Sequence, residues 1–254
     1  MQRVGFFLYG LVCYLAFLGV FAYAVGFIGG FLTPTSLDAP ATSPAWFALL
    51  INTGLLTLFA LQHSVMARPA FKKRWTKIVP KPIERSTYVM ATNIALALVF
   101  AFWQPLGGEV WTVTNPVGRI ALWSGYALGW AIVLAATLQI NHFDLFGLRQ
   151  VWLHLKSRPY TALKFQEPLL YRVVRHPLYV GWFLCFWCTP RMTAAHLFFA
   201  AVTTAYILVA IQLEERDLVR EHGDSYAAYR RRVPMLLPRF GRKQVKPAPA
   251  PVGA

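Results

Sequence analysis

Long apolar runs, separated by short polar and basic segments, organise this chain. Continuous apolar stretches cover about 4–32, 46–66, 87–104 and 116–139, and two shorter ones follow at 177–189 and 193–213. Segments of about 20 apolar residues can cross a bilayer core as helices. Membrane-spanning strands would alternate polar and apolar over roughly 10 residues, whereas these runs are unbroken. The pattern predicts an all-α fold, a polytopic transmembrane helix bundle with a C-terminal helical hairpin. Pro190 and Arg191 separate the last two runs, and proline removes a helix hydrogen bond, so the hairpin turns there. Its first arm is short for a full crossing, giving five or six spans.

Composition agrees with this reading: 57% of residues are hydrophobic and 14% charged. The net charge of +15, from 25 basic and 10 acidic residues, would suit nucleic acid. The cations, however, fall beside apolar runs, where they set orientation and meet anionic headgroups. The lipid bilayer is therefore the expected partner, and nucleic acid is not. Arg68, Lys72, Lys73, Arg74, Lys77, Lys81 and Arg85 follow the second run, Arg149 to Arg175 holds six more cations, and 33–45 and 105–115 hold none. The positive-inside rule then places the basic segments in the cytoplasm, with the cofactor-binding segments on that face.

The first run is too long for a cleavable signal core. Cys13, Cys185 and Cys188 lie within apolar runs and read as small core residues, with no metal site implied. Gly125 and Gly129 make a small-xxx-small pattern that lets helices approach closely. The expected organisation is four spans over 1–139, a cofactor-binding region with the hairpin over 140–238, and a disordered Pro/Ala-rich tail over 239–254.

Polar residues at the rim of membrane segments are functional candidates. Four groups share the inferred cytoplasmic face: Gln62, His63 and Ser64; Glu84, Arg85 and Tyr88; Asn141, His142 and Asp144; and RHPLYVGW (175–182) together with Glu214 and Glu215. Pro177 suits a first helical turn, whose free N–H groups attract an anion. Arg175 offers a bidentate fork for a carboxylate or phosphate, and Gly181 admits close approach of a backbone or a ligand. Carboxylates at 214 and 215 can take hydroxyl donors. The combination suits a nucleotide-like cofactor.

Arg175, His176, Pro177, Tyr179 and Gly181, followed by Glu214 and Glu215 and then Gly223, Tyr226, Tyr229, Pro234 and Pro238, resemble the isoprenylcysteine carboxyl methyltransferase superfamily. The histidine and glycine that prenylcysteine enzymes carry just upstream are absent, since this chain reads LKFQEPLLY there, with Tyr171 retained. The upstream segments QHSVMAR, IERSTYV and NHFDLFGLRQVW instead resemble the bacterial methanethiol S-methyltransferase branch, related to the NnrU family. The resemblance implies an integral membrane enzyme transferring a methyl group from S-adenosyl-L-methionine to methanethiol, giving dimethyl sulfide. It puts Tyr171, Arg175, His176, Tyr179, Gly181, Glu214 and Glu215 around the cofactor. Gln62, Tyr88, Asn141, Phe143, Phe146 and Trp182 fall on the acceptor side. His142 oriented by Asp144, or the cationic groups of Arg85 or His63, would promote the thiolate. Competing readings are another thiol, a prenylcysteine or a lipid amine as acceptor, or a haem- or quinone-linked protein of nitric oxide metabolism using His63, His142 or His176.

Overall fold

The computed structural model describes residues 1–163 and 165–238; the tail expected over 239–254 lies outside the described residues. The architecture is an all-α helix bundle. Its long apolar helices are α1 (Gln2–Gly29), α2 (Ala45–Ala67), α4 (Lys81–Phe102), α5 (Pro116–Gln139) and α10 (Ala194–His222), the five among the described residues with the length and apolarity to cross a membrane. Short helices α3 (Pro69–Trp75), α6 (His142–Leu145), α7 (Leu148–Leu155), α8 (Leu169–Val173) and α11 (Asp224–Arg232) lie at one end, hereafter the basic end. The opposite end carries a two-stranded antiparallel ladder of β1 (Glu109–Thr112) and β2 (Arg191–Thr193), which the apolar pattern does not predict.

Helix boundaries follow local chemistry. The third run starts earlier than its apolar stretch because Pro82 fits the first turn and Glu84 favours the positive end of the helix dipole. Asn115 caps α5, its side chain accepting from Val117 N–H and Gly118 N–H. Thr193 caps α10 through His196 N–H, and α10 runs on beyond the expected residue 213 to His222.

The hairpin forms from α9 (Pro177–Trp187) and α10, with β2 between them. From Ala194 to Glu215, α10 rises about 32 Å at 1.5 Å per residue. Residues 175–176 touch Glu215, so the first arm covers the same depth. Its helix gives only about 17 Å, and extended chain at about 3.3 Å per residue makes up the rest. Exposed backbone polar groups are not tolerated at that depth. Here Pro190 C=O accepts from Val113 N–H at 2.8 Å, and Thr189 C=O accepts from Trp111 Nε1 at 3.2 Å.

The contact between α5 and α9 is built on glycine. A Cβ at Gly129 would lie 2.8 Å from Gly181 O, and one at Gly181 would lie 2.8 Å from Gly129 O. Gly181 therefore serves approach of a backbone rather than of a ligand. Buried Cys185 packs in the same crossing. At the β end, Asp38 ties the loop after α1 to the hairpin, accepting from Thr193 Oγ1 at 2.7 Å and facing His196 Nδ1 at 2.8 Å. At the basic end, Gly147 (φ 88°) seats the α6–α7 turn on α4, where a Cβ would lie 2.7 Å from Ser86 N.

Candidate active site

The basic end gathers three polar clusters. The first is built on the motif that opens α9. Arg175 N–H donates to Pro234 C=O at 2.9 Å and His176 N–H to Met235 C=O at 3.2 Å, so the segment after α11 lies alongside it. The Arg175 guanidinium turns into the protein: Nε donates to Glu215 Oε1 at 2.7 Å, and Nη1 to the carbonyls of Val233 at 2.5 Å and Arg230 at 3.1 Å. His176 Nε2 also meets Glu215 Oε1, at 3.1 Å, and both side chains are buried. The fork expected to hold a ligand carboxylate is thus occupied by Glu215. The first N–H groups of α9 are partly engaged too, with Tyr179 and Val180 both donating to His176 C=O.

Glu214 differs from its neighbour. Its side chain is 43% exposed, and Oε2 accepts from Tyr179 O–H at 3.0 Å. It is a carboxylate oriented on one side and open on the other. Below it, Tyr226, Tyr229 and Val233 form a small apolar cluster with Phe165, and Tyr229 O–H donates to Tyr171 C=O at 2.6 Å. Tyr171 thereby supports the motif through its backbone. Burial pushes its own phenol above the ordinary range.

The second cluster joins α2 and α4. The His63 ring meets Tyr88 O–H at 3.0 Å and Thr92 Oγ1 at 3.3 Å, and stacks on Phe59. Arg85 lies over the Tyr88 ring, 4.9 Å from its centroid, and its Nε donates to Leu145 C=O at 2.7 Å. Gln62 Nε2 lies 3.3 Å from Met66 Sδ, and its Oε1 is buried with no hydrogen-bond partner. Tyr206 links the two clusters: its hydroxyl meets Ser64 Oγ at 3.0 Å, its ring packs edge-on to Phe59, and it lies within electrostatic reach of both Tyr88 and Tyr179. Sequence reasoning missed Tyr206 because a tyrosine within an apolar run reads as core.

The third cluster stands apart and corrects one expected pairing. Asp144 does not orient His142. Its carboxylate takes Arg149 Nη1 at 2.8 Å and Tyr160 O–H at 3.3 Å. His142 instead sits between Tyr14 O–H at Nε2 (2.9 Å) and Thr137 Oγ1 at Nδ1 (3.0 Å), caged by Phe17 and Phe146. Burial lowers its pKa. Asn141, with φ 77°, accepts from Asp144 N–H and caps α6.

Nor do the four aromatic residues expected on the acceptor side, Tyr88, Phe143, Phe146 and Trp182, come together. Phe143 is largely exposed. Phe146 stacks on Phe17 at 3.8 Å and begins an aromatic chain through Phe21 and Trp130 to Trp182. Tyr88 lies separately beneath Arg85.

Fold and site define a class: a polytopic helical membrane protein whose buried ionic anchor and half-open carboxylate share one end of the bundle. The chain belongs to the DUF1295 family, described as a protein of unknown function, whose profile matches residues 55–233. Among its relatives, the methanethiol S-methyltransferase of Crocosphaera subtropica is 58% identical over 96% of this chain and 95% of the relative. That of Mycobacterium tuberculosis is 51% identical over 94% and 98%. Nurim of Xenopus laevis is 27% identical over 81% and 75%. No solved structure matches the chain.

Proposed function

We propose that this protein is an integral-membrane, S-adenosylmethionine-dependent thiol S-methyltransferase that converts methanethiol to dimethyl sulfide at the cytoplasmic face. The names of relatives covering nearly the whole chain support the reaction. Among the described residues, Arg119 and Arg191 are the cations at the β end, while the other Lys and Arg side chains belong to the basic end or its loops. By the positive-inside rule the basic end faces the cytoplasm, where a soluble cofactor is available.

The observation that carries the reading is Glu214, half-open and oriented by Tyr179, seated on the buried Arg175–His176–Glu215 anchor. A fixed carboxylate acceptor fits the ribose hydroxyl donors of S-adenosylmethionine, so Glu214, oriented by Tyr179, would hold those groups. Arg175, His176 and Glu215 keep the helix start and α10 in register. Bound there, the cofactor supplies an electrophilic methyl group.

The protein's own part is to orient the thiol and promote its thiolate, the reactive form. Displacement needs in-line placement, so much of the acceleration comes from positioning. His63, held by Tyr88 and stacked on Phe59, lines the acceptor side and orients the thiol, and the Arg85 cation over the Tyr88 ring favours the anion. His142 stands apart from this pair, between Tyr14 and Thr137 in the third cluster. Headspace analysis of purified protein with S-adenosylmethionine and a panel of thiols tests the assignment. Dimethyl sulfide from methanethiol is expected; turnover confined to larger thiols or prenylcysteine would overturn the acceptor.

A further inference from the structure

Lys72 has no part in the site as described above. It is half-buried on α3, and among the described residues its ammonium has no carboxylate within salt-bridge distance and no hydrogen-bond acceptor. It lies within electrostatic reach of Arg85, Glu84, Glu221 and Arg68. Burial, and then Arg85, push its pKa below the ordinary lysine value, outweighing the two glutamates.

Arg85 is in a similar position. Its Nε goes to Leu145 C=O and its face lies on Tyr88, while its terminal N–H groups have no acceptor among the described residues. Arg68 is paired, with Nη1 at 2.6 Å from Asp217. Two half-buried cations within electrostatic reach of one another each oppose the other's charge, and an anion held by both reverses that cost.

Geometry limits which anion this is. Glu214, Asp217 and Glu221 recur at i, i+3 and i+7 on α10, so they share one face. The Arg68–Asp217 pair brings the start of the basic loop against that face. Lys72 follows Arg68 by one helical turn, its N–H donating to Arg68 C=O at 3.0 Å, and lies within electrostatic reach of Glu221, which stands about 10 Å along α10 from Glu214, the rise over seven residues. A ligand lying along this face would meet cations at one end and an acceptor carboxylate at the other.

We propose that Lys72 and Arg85, rimmed by Arg68, form the subsite for the carboxylate at the amino-acid end of the cofactor, while Glu214 takes donors at the other end. This rests on the S-adenosylmethionine reading given above. It also gives the ligand carboxylate a place that Arg175, engaged by Glu215 and two carbonyls, does not offer.

Calorimetry on the purified full chain, with S-adenosylhomocysteine and its decarboxylated analogue, tests the subsite. The wild type should bind the carboxylate form about ten- to a hundred-fold more tightly, the range expected for a charge-assisted contact. Lys72→Met, which keeps the apolar stem, should remove most of that preference without weakening the analogue, and Lys72→Arg should restore it. Equal weakening of both ligands by Lys72→Met, or no change in either, would overturn the subsite. If the wild type bound neither ligand, the cofactor reading itself would fail, and the subsite with it.

Discussion

Adjacent on α10, Glu214 and Glu215 have different work. Glu215 is buried against Arg175 and His176, and removing one partner of a buried pair costs about 3–5 kcal/mol. Glu215→Ala should therefore lower the melting temperature sharply and lose cofactor binding as a consequence. Glu214→Gln, at a half-open position, should leave melting nearly unchanged and weaken cofactor binding. The reverse pattern would show that the roles have been exchanged. The sequence shows the pair EE but cannot say which member faces inward, because that depends on the rotation of α10. His142 gives a pH-dependent prediction. Its folded pKa is lowered by burial and its unfolded value is about 6.5, so below that pH the unfolded state binds more protons and stability falls. Melting between pH 7.5 and 5.5 should drop less in His142→Gln than in the wild type; identical slopes would refute the account. The expected partnership with Asp144 failed for a local reason: a short α6 turns the two side chains apart, and Arg149, one turn further along, claims the carboxylate.

At the scale of elements, the long helices were legible from apolar runs alone, because a bilayer-length stretch has few other solutions. Their ends shifted wherever a polar residue extends the helix: Pro82 and Glu84 start α4 early, and the polar turns after residue 213 continue α10. The β1–β2 ladder was not legible, since three or four residues without strong alternation carry no strand signal. The small-residue pattern at Gly125 and Gly129 showed that a close crossing exists but not its partner, which Gly181 on α9 supplies. Gly181→Ala would place a methyl carbon 2.8 Å from Gly129 O and 3.0 Å from Val133 N. Overpacking of this kind costs about 1–3 kcal/mol, and the displaced α9 would carry the Arg175–His176 segment with it. Melting temperature should fall, whereas Gly54→Ala, with nothing within 4 Å of the added carbon, should leave it unchanged. Equal tolerance at both glycines would remove the crossing from the account.

For the whole molecule, the arrangement of charge joins fold to function. The β end is locked by Asp38, Thr193 and His196 and by the strand ladder. The basic end holds the short helices, the ionic anchor and the loop cations. Four polar groups far apart in sequence reach that end because successive helices cross and return, which the run lengths and loop charges already implied. Their division into an Arg175–Glu215 cluster, a His63–Tyr88 cluster and a separate His142 cluster required side-chain directions that a linear pattern does not contain. The proposed reaction is direct methyl transfer from S-adenosylmethionine to methanethiol by this chain. Purified protein should be given a cofactor bearing a deuterated methyl group together with unlabelled methanethiol, and the volatile product weighed by mass spectrometry. Dimethyl sulfide with one deuterated and one ordinary methyl group is the predicted result, and unlabelled dimethyl sulfide, or none, would contradict it.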